Sequence, residues 1–508
     1  MSGVFSISVT EARGQIAIPA ELDRLAIVIG ATSAGSGMSG FFSSGAAAVT
    51  ALGYGDAVDA VTQIIEQKQA TGTAKKYPVA CYSATTLDGA AGAYGTFHKV
   101  GSGATVASAH ASTYPFGTYE VVIKCVTGGT IGTAGVSIRY SLDGGRHYSP
   151  IYALGLATTF AIPHSGVQVD FTVATIVAGD TFSVRTTAPQ PGAADITAAF
   201  AALAASTIDT ALVVVEGDTS AANFAAITSG LDACLAVGKR ITVLCRTRLP
   251  DFEASETEQT WADSIASAFH SLSDSRIHLR ASYGLLTDAM TGNQYLRGDL
   301  AQYAADVVRV SRSSFADVPA DQPMANFTLV NAAGVTVGHD EGPRGAVTGL
   351  SNETLGNRFG CVMRLPDATR REQVFSTVPW VMYASDERIK NLPTRRIANA
   401  MERVAVAAGT SQLGAKLFYT PADGSPGSQA QLTDVSRNAI HGVIYQAVSV
   451  AFAGDIQNAK AAGLDTGLVQ VSPYVAVSGG NLLTVSVTLS PLVFGYLLSL
   501  DITLAIQE

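Results

Sequence analysis

The spacing of apolar residues changes several times along this chain, and each change marks an element. In "LSLDITLAIQE", Leu498, Leu500, Ile502, Leu504 and Ile506 alternate with Ser499, Asp501, Thr503 and Ala505. Period two predicts a strand with one buried and one wet face. The opening "GVFSISVTE" alternates in the same way, with Phe5, Ile7 and Val9 against Ser6, Ser8 and Thr10. "LAIVI" at 25–29 is an unbroken apolar run, which predicts a buried strand leading into the glycine-rich "GATSAGSGMSG". In "GDAVDAVTQIIEQK" the period becomes helical. Ala57, Val58, Val61, Ile64 and Ile65 share one face, and Asp56 is placed to cap the start. "KYPVACYSA" predicts a further strand.

From about 88 to 190 the texture changes. "TYEVVIKCVTG", "AGVSIRYSLDGGRHYS", "QVDFTVA" and "DTFSVRTTAP" are short alternating runs punctuated by "DGG" and "AGD". That pattern predicts a small β-sandwich or barrel, closed by the linker "PQPG" at 189–192. An α/β pattern then resumes. "DTALVVVEG" predicts a buried strand, and "DTSAANFAAITSGLDACLAVG" a helix with Phe224, Ile227, Leu231 and Leu235 inward, stopped by Gly238. "RITVLCRT" predicts the next strand, and the three together make a βαβ unit with parallel strands. "TWADSIASAFHSL", "TRRIANAMERVAVAAG" and "DVSRNAIHGVIYQAVSVAFAG" predict helices, "RIHLRASY" a strand, and 482–489 with 497–506 a closing pair of strands.

Composition sharpens this picture. The 508 residues are 47% hydrophobic and only 14% charged. So few charges point to a surface covered by something else. No stretch reaches the roughly 18 apolar residues of a spanning helix: "LVVVEG" stops early, and "LVFGYLLSL" is broken by Gly495 and Ser499. The start lacks the basic segment of a signal peptide. Other protein chains are therefore the expected cover. A net charge of −9 without basic blocks argues against a general nucleic-acid binder. Five scattered cysteines, Cys81, Cys125, Cys234, Cys245 and Cys361, without CxxC spacing, predict reduced, buried thiols.

Candidate chemistry is weak. "LAIVIGATSAGSG" runs a strand into Gly30, Gly35 and Gly37, but Ser36 stands where a phosphate-binding loop needs lysine, and no helix opens directly afterwards. "GHDEG" gathers His339, Asp340 and Glu341 in one turn, where neighbours point apart; His270 and His278 sit either side of a turn, and His441 lies on a helix with no His or Glu one turn away. Asp251, Glu253, Glu256 and Glu258 read as a charged helix start before Trp261. Neither HExxH nor GxSxG occurs. The expectation is no catalytic residue, no cofactor and no metal.

The order of the pieces resembles the contractile tail sheath proteins of bacteriophages. "AIVIGATSAGSG" followed by "SSGAAAVTALGYGDAVDAVTQIIEQKQ" and "KYPVACY" is similar to that family's opening. "IDTALVVVEGD" through "RITVLCRT" resembles its central α/β core, and "VPWVMYASDERIKNLPTRRIANAMERVAVAA" its C-terminal stretch with an arginine pair before a helix. "DITLAIQE" sits where the family has its C-terminal arm. The likeness covers roughly the first 85 and the last 310 residues; 88–190 has no close match in the family core and resembles the variable outer domains inserted in sheath proteins.

That resemblance implies a fold and a role. The fold expected is a multidomain α+β or α/β chain: an N-terminal arm (1–24), a sheath core in two parts (25–87 and 191–480), an inserted β-sandwich-like outer domain (88–190), and C-terminal strands with an exchange arm (481–508). The role is a structural, non-enzymatic subunit that polymerises with itself in sixfold rings or a helix around a tail tube protein. It also meets baseplate and tail-terminator proteins, and contracts to drive the tube through the host envelope. It is assembled in the bacterial cytoplasm and resides in the virion, with no direct nucleic-acid contact and no membrane insertion. Phe5, Ile7, Val9, Leu498, Leu500, Ile502, Leu504 and Ile506 would join neighbouring subunits by strand addition, and Arg395 and Arg396 would face the tube. Two alternatives stand beside it: a nucleotide-dependent enzyme using the Gly30–Gly37 loop, and a carbohydrate-binding or adhesive protein centred on the β-rich segment.

Overall fold

The computed structural model describes residues 25–66, 77–84, 90–309, 324, 326–330, 359–366, 372–376, 381–382, 392–410, 419–420, 430–452, 469–478, 482–489, 492–493, 496–497 and 500–507. Phe5, Ile7, Val9, Leu498 and the 339–341 turn lie outside them.

The apolar runs become the middle of a seven-stranded sheet. Its order is Gly37–Met38, Val79–Ala84, Ala26–Ala31, Leu212–Asp218, Thr242–Arg246, Ile277–Arg280, Phe359–Gly360. All neighbours pair in parallel except the short Gly37–Met38 strand. Parallel sheets are covered on both faces, which is why these strands are continuously apolar. The burial alternates accordingly. Ala26, Val28, Leu212, Val214 and Leu244 belong to one buried cluster, with the helices Asp56–Glu66 and Leu300–Arg309. Ile27, Ile29, Val213, Val215, Val243 and Cys245 belong to the other, with the helices Ala193–Ala205, Ala221–Ala236 and Glu258–Phe269.

All five inward positions expected on the Asp56 helix are buried. On the Ala221 helix Phe224, Ile227 and Leu231 are buried, but Leu235 is exposed and Cys234 takes the inner place. The helix turns one residue earlier than a strict extension of the stripe assumes. Gly238 ends it at φ +82°, in the region glycine occupies without strain. All five thiols are free and buried.

Residues 93–187 form antiparallel strands. The long pair Glu120–Thr127 and Thr181–Thr187 centres a six-stranded sheet, and a three-stranded sheet of Ala107–Ala109, Gln168–Phe171 and Thr159–Ala161 lies beside it. Their shared buried cluster draws on 107–184 and takes in Tyr295 from the α/β part.

The helices Leu392–Thr410 and Asp434–Ala451 share a buried cluster with a five-stranded sheet. That sheet runs Tyr419–Thr420, Ala430–Leu432, Val469–Ser478, Leu482–Leu489, Leu500–Gln507, antiparallel throughout.

Candidate functional site

From the first strand, Ala26–Ala31, the chain builds outward in both directions: Val79–Ala84 on one side, Leu212–Asp218 on the other. In open α/β sheets such a reversal leaves a crevice at the carboxyl ends of the strands, the usual place for a ligand. Here the β-rich segment occupies it. Thr118 donates from its backbone N–H to Asp56 Oδ1 at 2.9 Å and from its hydroxyl to Asp56 Oδ2 at 2.7 Å. Asp56 is the first residue of its helix, and its carboxylate serves Thr118 and Arg297 (2.9 Å) instead of capping. Gly55, at φ +130°, lets the Phe116 carbonyl approach so closely that a Cβ there would sit 2.8 Å from its oxygen. Arg297 bonds Asp59 at 2.6 Å and the Thr118 carbonyl at 3.3 Å, with its guanidinium 4.4 Å from the Tyr295 ring. Gln190 Oε1 accepts from the Asp218 N–H at 2.6 Å.

Beside this plug lies a cleft of about 780 Å³, between the two parts of the chain. Its charged walls are already paired. Arg248 makes a two-pronged contact with Glu256 (2.7 and 2.6 Å), Arg185 bonds Glu120 (2.6 Å) and lies 4.4 Å over the Phe252 ring, and Arg246 bonds Glu216 (3.2 Å) and Asp218. The acidic run is therefore not simply a charged helix start. Thr257 caps that helix, Glu256 holds Arg248, and Glu253 accepts from the Thr96 N–H of the β-rich segment at 3.2 Å. The pairing with Arg248 holds the Glu256 carboxyl below its ordinary range.

The glycine loop is turned to its own backbone. Ser33 N–H bonds the Tyr54 carbonyl at 3.0 Å and Ala34 N–H the Leu52 carbonyl at 2.9 Å. The next helix, Gly45–Leu52, opens only after the Gly37–Met38 strand, with Ser44 as its cap. A phosphate cradle needs free N–H groups converging on a helix start; here those of Ser33 and Ala34 are taken by backbone carbonyls. His278 is buried, its ring stacked on Tyr303 at 5.0 Å, and His441 stacks on Tyr445.

The C-terminal strand is the other candidate. Leu500–Gln507 pairs along its whole length with Leu482–Leu489 of the same chain. Leu500, Ile502, Leu504 and Ile506 stand in register with Leu489, Val487, Val485 and Leu483. Val485 and Val487 are buried. Among the described residues Leu500–Gln507 is the last strand of its sheet, and its outer edge is unpaired.

No family model and no curated protein matches the chain. Among solved structures it is similar to a sheath tail protein from Listeria innocua, at 12% identity and a TM-score of 0.43, over 95% of this chain and 94% of that one. It is also similar to a chain of the anti-feeding prophage baseplate, at 12% identity and a TM-score of 0.31, over 64% of this chain and 73% of that one.

Arg395 and Arg396 are the fourth and fifth residues of the Leu392–Thr410 helix. Arg396 is buried within the single chain and Arg395 is half-buried, with burial pushing its pKa down against Glu402 and Asp274 nearby. The residues that fill the crevice, Thr118, Gln190, Arg246 and Arg297, carried no sequence motif. Their only trace was a charge at the end of an apolar strand, in "ITVLCR" and "QYLRG".

Proposed function

We propose that this chain is the structural subunit of a contractile tail sheath, polymerising around a tail tube and shortening to drive the tube through a host envelope. The observation that carries the proposal is the strand Leu500–Gln507, an eight-residue sheet edge at a chain end. An edge of that length without a second strand partner invites another chain. Strand addition supplies backbone hydrogen bonds, and alternate side chains supply the fit. In the assembly the alternating 5–9 segment and the 500–506 strand bridge neighbouring copies, in sixfold rings or a helix. Leu498 extends the same alternation.

The filled crevice supports a structural reading over an enzymatic one: where a doubly wound sheet would receive a ligand, the chain places its own Phe116–Tyr119. With no nucleotide cycle to drive it, contraction is the relaxation of a metastable packing, a rigid-body transition in which the arms keep their pairing while the α/β bodies rotate and slide. The tube protein holds the extended state, with the half-buried Arg395 as a contact to it; Arg396, buried within the chain, joins that contact only where this packing opens. Baseplate and terminator proteins close the two ends of the particle, and the 88–190 segment is a separable outer domain.

Electron microscopy of the purified chain tests this. Hollow striated cylinders are expected, lost on deleting residues 495–508, and assembled tails should contract without ATP or GTP. Discrete particles at all concentrations, or a nucleotide requirement for contraction, would overturn it.

A further inference from the structure

The seam between the β-rich strands and the parallel sheet holds more negative charge than it can balance. Asp56 and Asp59 enter it from one helix, Glu216 and Asp218 from the end of the third parallel strand, and Asp288 from the turn before Gln294–Gly298. Against these five carboxylates stand two guanidiniums bonded to them, Arg246 and Arg297; Arg248, which also attracts Asp218, is itself paired with Glu256. Asp288 is satisfied by its own turn, accepting from Thr291 N–H and hydroxyl at 2.6 Å each. Glu216 is not: its Oε2 is enclosed with no hydrogen-bond partner among the described residues. Its other oxygen meets Arg246, but a buried carboxylate with one oxygen unbonded is costly, and taking up a proton lowers that cost.

We propose that this seam is a proton-responsive latch, gripping the 93–187 strands more tightly below neutral pH than above it. The groups that take the protons are Asp59 and Glu216. Asp59 faces Arg297, Asp56, Asp288, Tyr119 and Tyr295, and Glu216 faces Arg246, Asp218, Asp56 and Arg297. With both protonated, three carboxylates remain for two guanidiniums, and the excess charge falls from three to one. Burial pushes each carboxyl up to about 7, against the pull of its arginine. Released from the seam, each returns toward an ordinary carboxyl value of about 4. Docking therefore takes up protons between about pH 4 and 7. The grip is strongest at the acid end of that window, weakens as pH rises through it, and is level above it. The cleft beside Arg246 and Asp218 gives water a path to the cluster.

Hydrogen exchange on the full chain tests the latch, read at the amides of 56–66 and 116–122 and corrected for the intrinsic rate. Two histidines lie at the seam: His164, stacked on Tyr54 at 4.6 Å, and His147, 2.6 Å from the Asp143 carboxylate that accepts from the Gln294 N–H at 3.3 Å. All measurements therefore use a His147→Asn, His164→Asn background, asparagine suiting the positive φ at 164. A quarter of the Asp59 side chain reaches solvent, 26%, so the response expected is about tenfold less opening at pH 5.5 than at pH 8, short of the full two-proton linkage. Adding Asp59→Asn and Glu216→Gln should level the two pH values. Equal opening at both pH values in this double-histidine background would overturn the latch. So would a pH response that survives in the folded variant lacking both histidines and both carboxyls.

Discussion

Arg403, in the Leu392–Thr410 helix, donates from Nη2 to the backbone carbonyl of Thr210 at 2.6 Å. The same guanidinium reaches the Arg240 carbonyl, Asn399 Nδ2 donates to Thr242 Oγ1 at 3.0 Å, and Glu402 holds Arg240. Thr210 and Arg240 stand two residues before the starts of the strands Leu212–Asp218 and Thr242–Arg246. The C-terminal helix thus grips the amino end of the parallel sheet, while the β-rich segment grips its carboxyl end. The sheet is the fixed body between them.

Arg403→Met tests the amino-end grip. The variant keeps the apolar stem and leaves two enclosed carbonyls without their charged donor, a loss of about 2–3 kcal/mol. Urea denaturation should show the midpoint shifted down, with the 392–451 helices exchanging before the sheet. An unchanged midpoint would mean that apolar packing alone holds this helix in place.

At the carboxyl end, Thr118→Val removes the hydroxyl that donates to Asp56 at 2.7 Å and accepts from the Ala188 N–H at 3.2 Å. A hydrogen bond to a charged group contributes about 1.5–3 kcal/mol, so the expected cost is about 2 kcal/mol. It should appear as faster exchange at 116–122, with the 26–31 strand still protected. Equal loss of protection in both would show that the β-rich segment and the sheet unfold as one unit.

What could be read from the sequence follows the physics of each element. Strands covered on both faces left unbroken apolar runs, so Ala26–Ala31, Leu212–Asp218 and Thr242–Arg246 were plain. The antiparallel strands of 120–187 were plain from their alternation. The crevice was hidden because its contacts join residues far apart: Thr118 with Asp56, Arg297 with both, Gln190 with Asp218. Each alone is an ordinary polar residue at an element's end, and Asp56 read as a cap because a helix start explains an aspartate locally. The acidic run before Trp261 misled in the same way, since its partners Arg248 and Thr96 lie outside the helix.

The thiols give a prediction with a clear readout. Burial pushes Cys81, Cys245 and Cys361 up to about 12 and raises Cys125 and Cys234 as well. Thiolate is the reactive form. At pH 8 the native chain should be inert to a disulfide reagent over minutes, and all five cysteines of the sequence should react once it is unfolded. Fast modification of the native chain would place a thiol at the surface.

The last prediction separates folding from assembly. Thr503 stands opposite Ser486 in the middle of the Leu500–Gln507 strand. A proline there lacks the N–H and fixes φ near −65°, so it removes at most one ladder bond and bends the strand locally. The buried cluster beneath takes Val485 and Val487 from the directly paired strand, which keeps its other partner Val469–Ser478, and takes the rest from elements that the change does not touch. Thr503→Pro should therefore leave the thermal midpoint of the parallel sheet within a few degrees of the parent, a shift in keeping with about 1 kcal/mol. Its effect should fall on the outer edge, where a neighbouring chain needs a straight strand to pair with. Sedimentation should show monomers where the parent forms large particles, and mixing the variant into the parent should cap growth. If Thr503→Pro protein assembles as the parent does, Leu500–Gln507 serves only its own chain, and the contact between copies lies elsewhere.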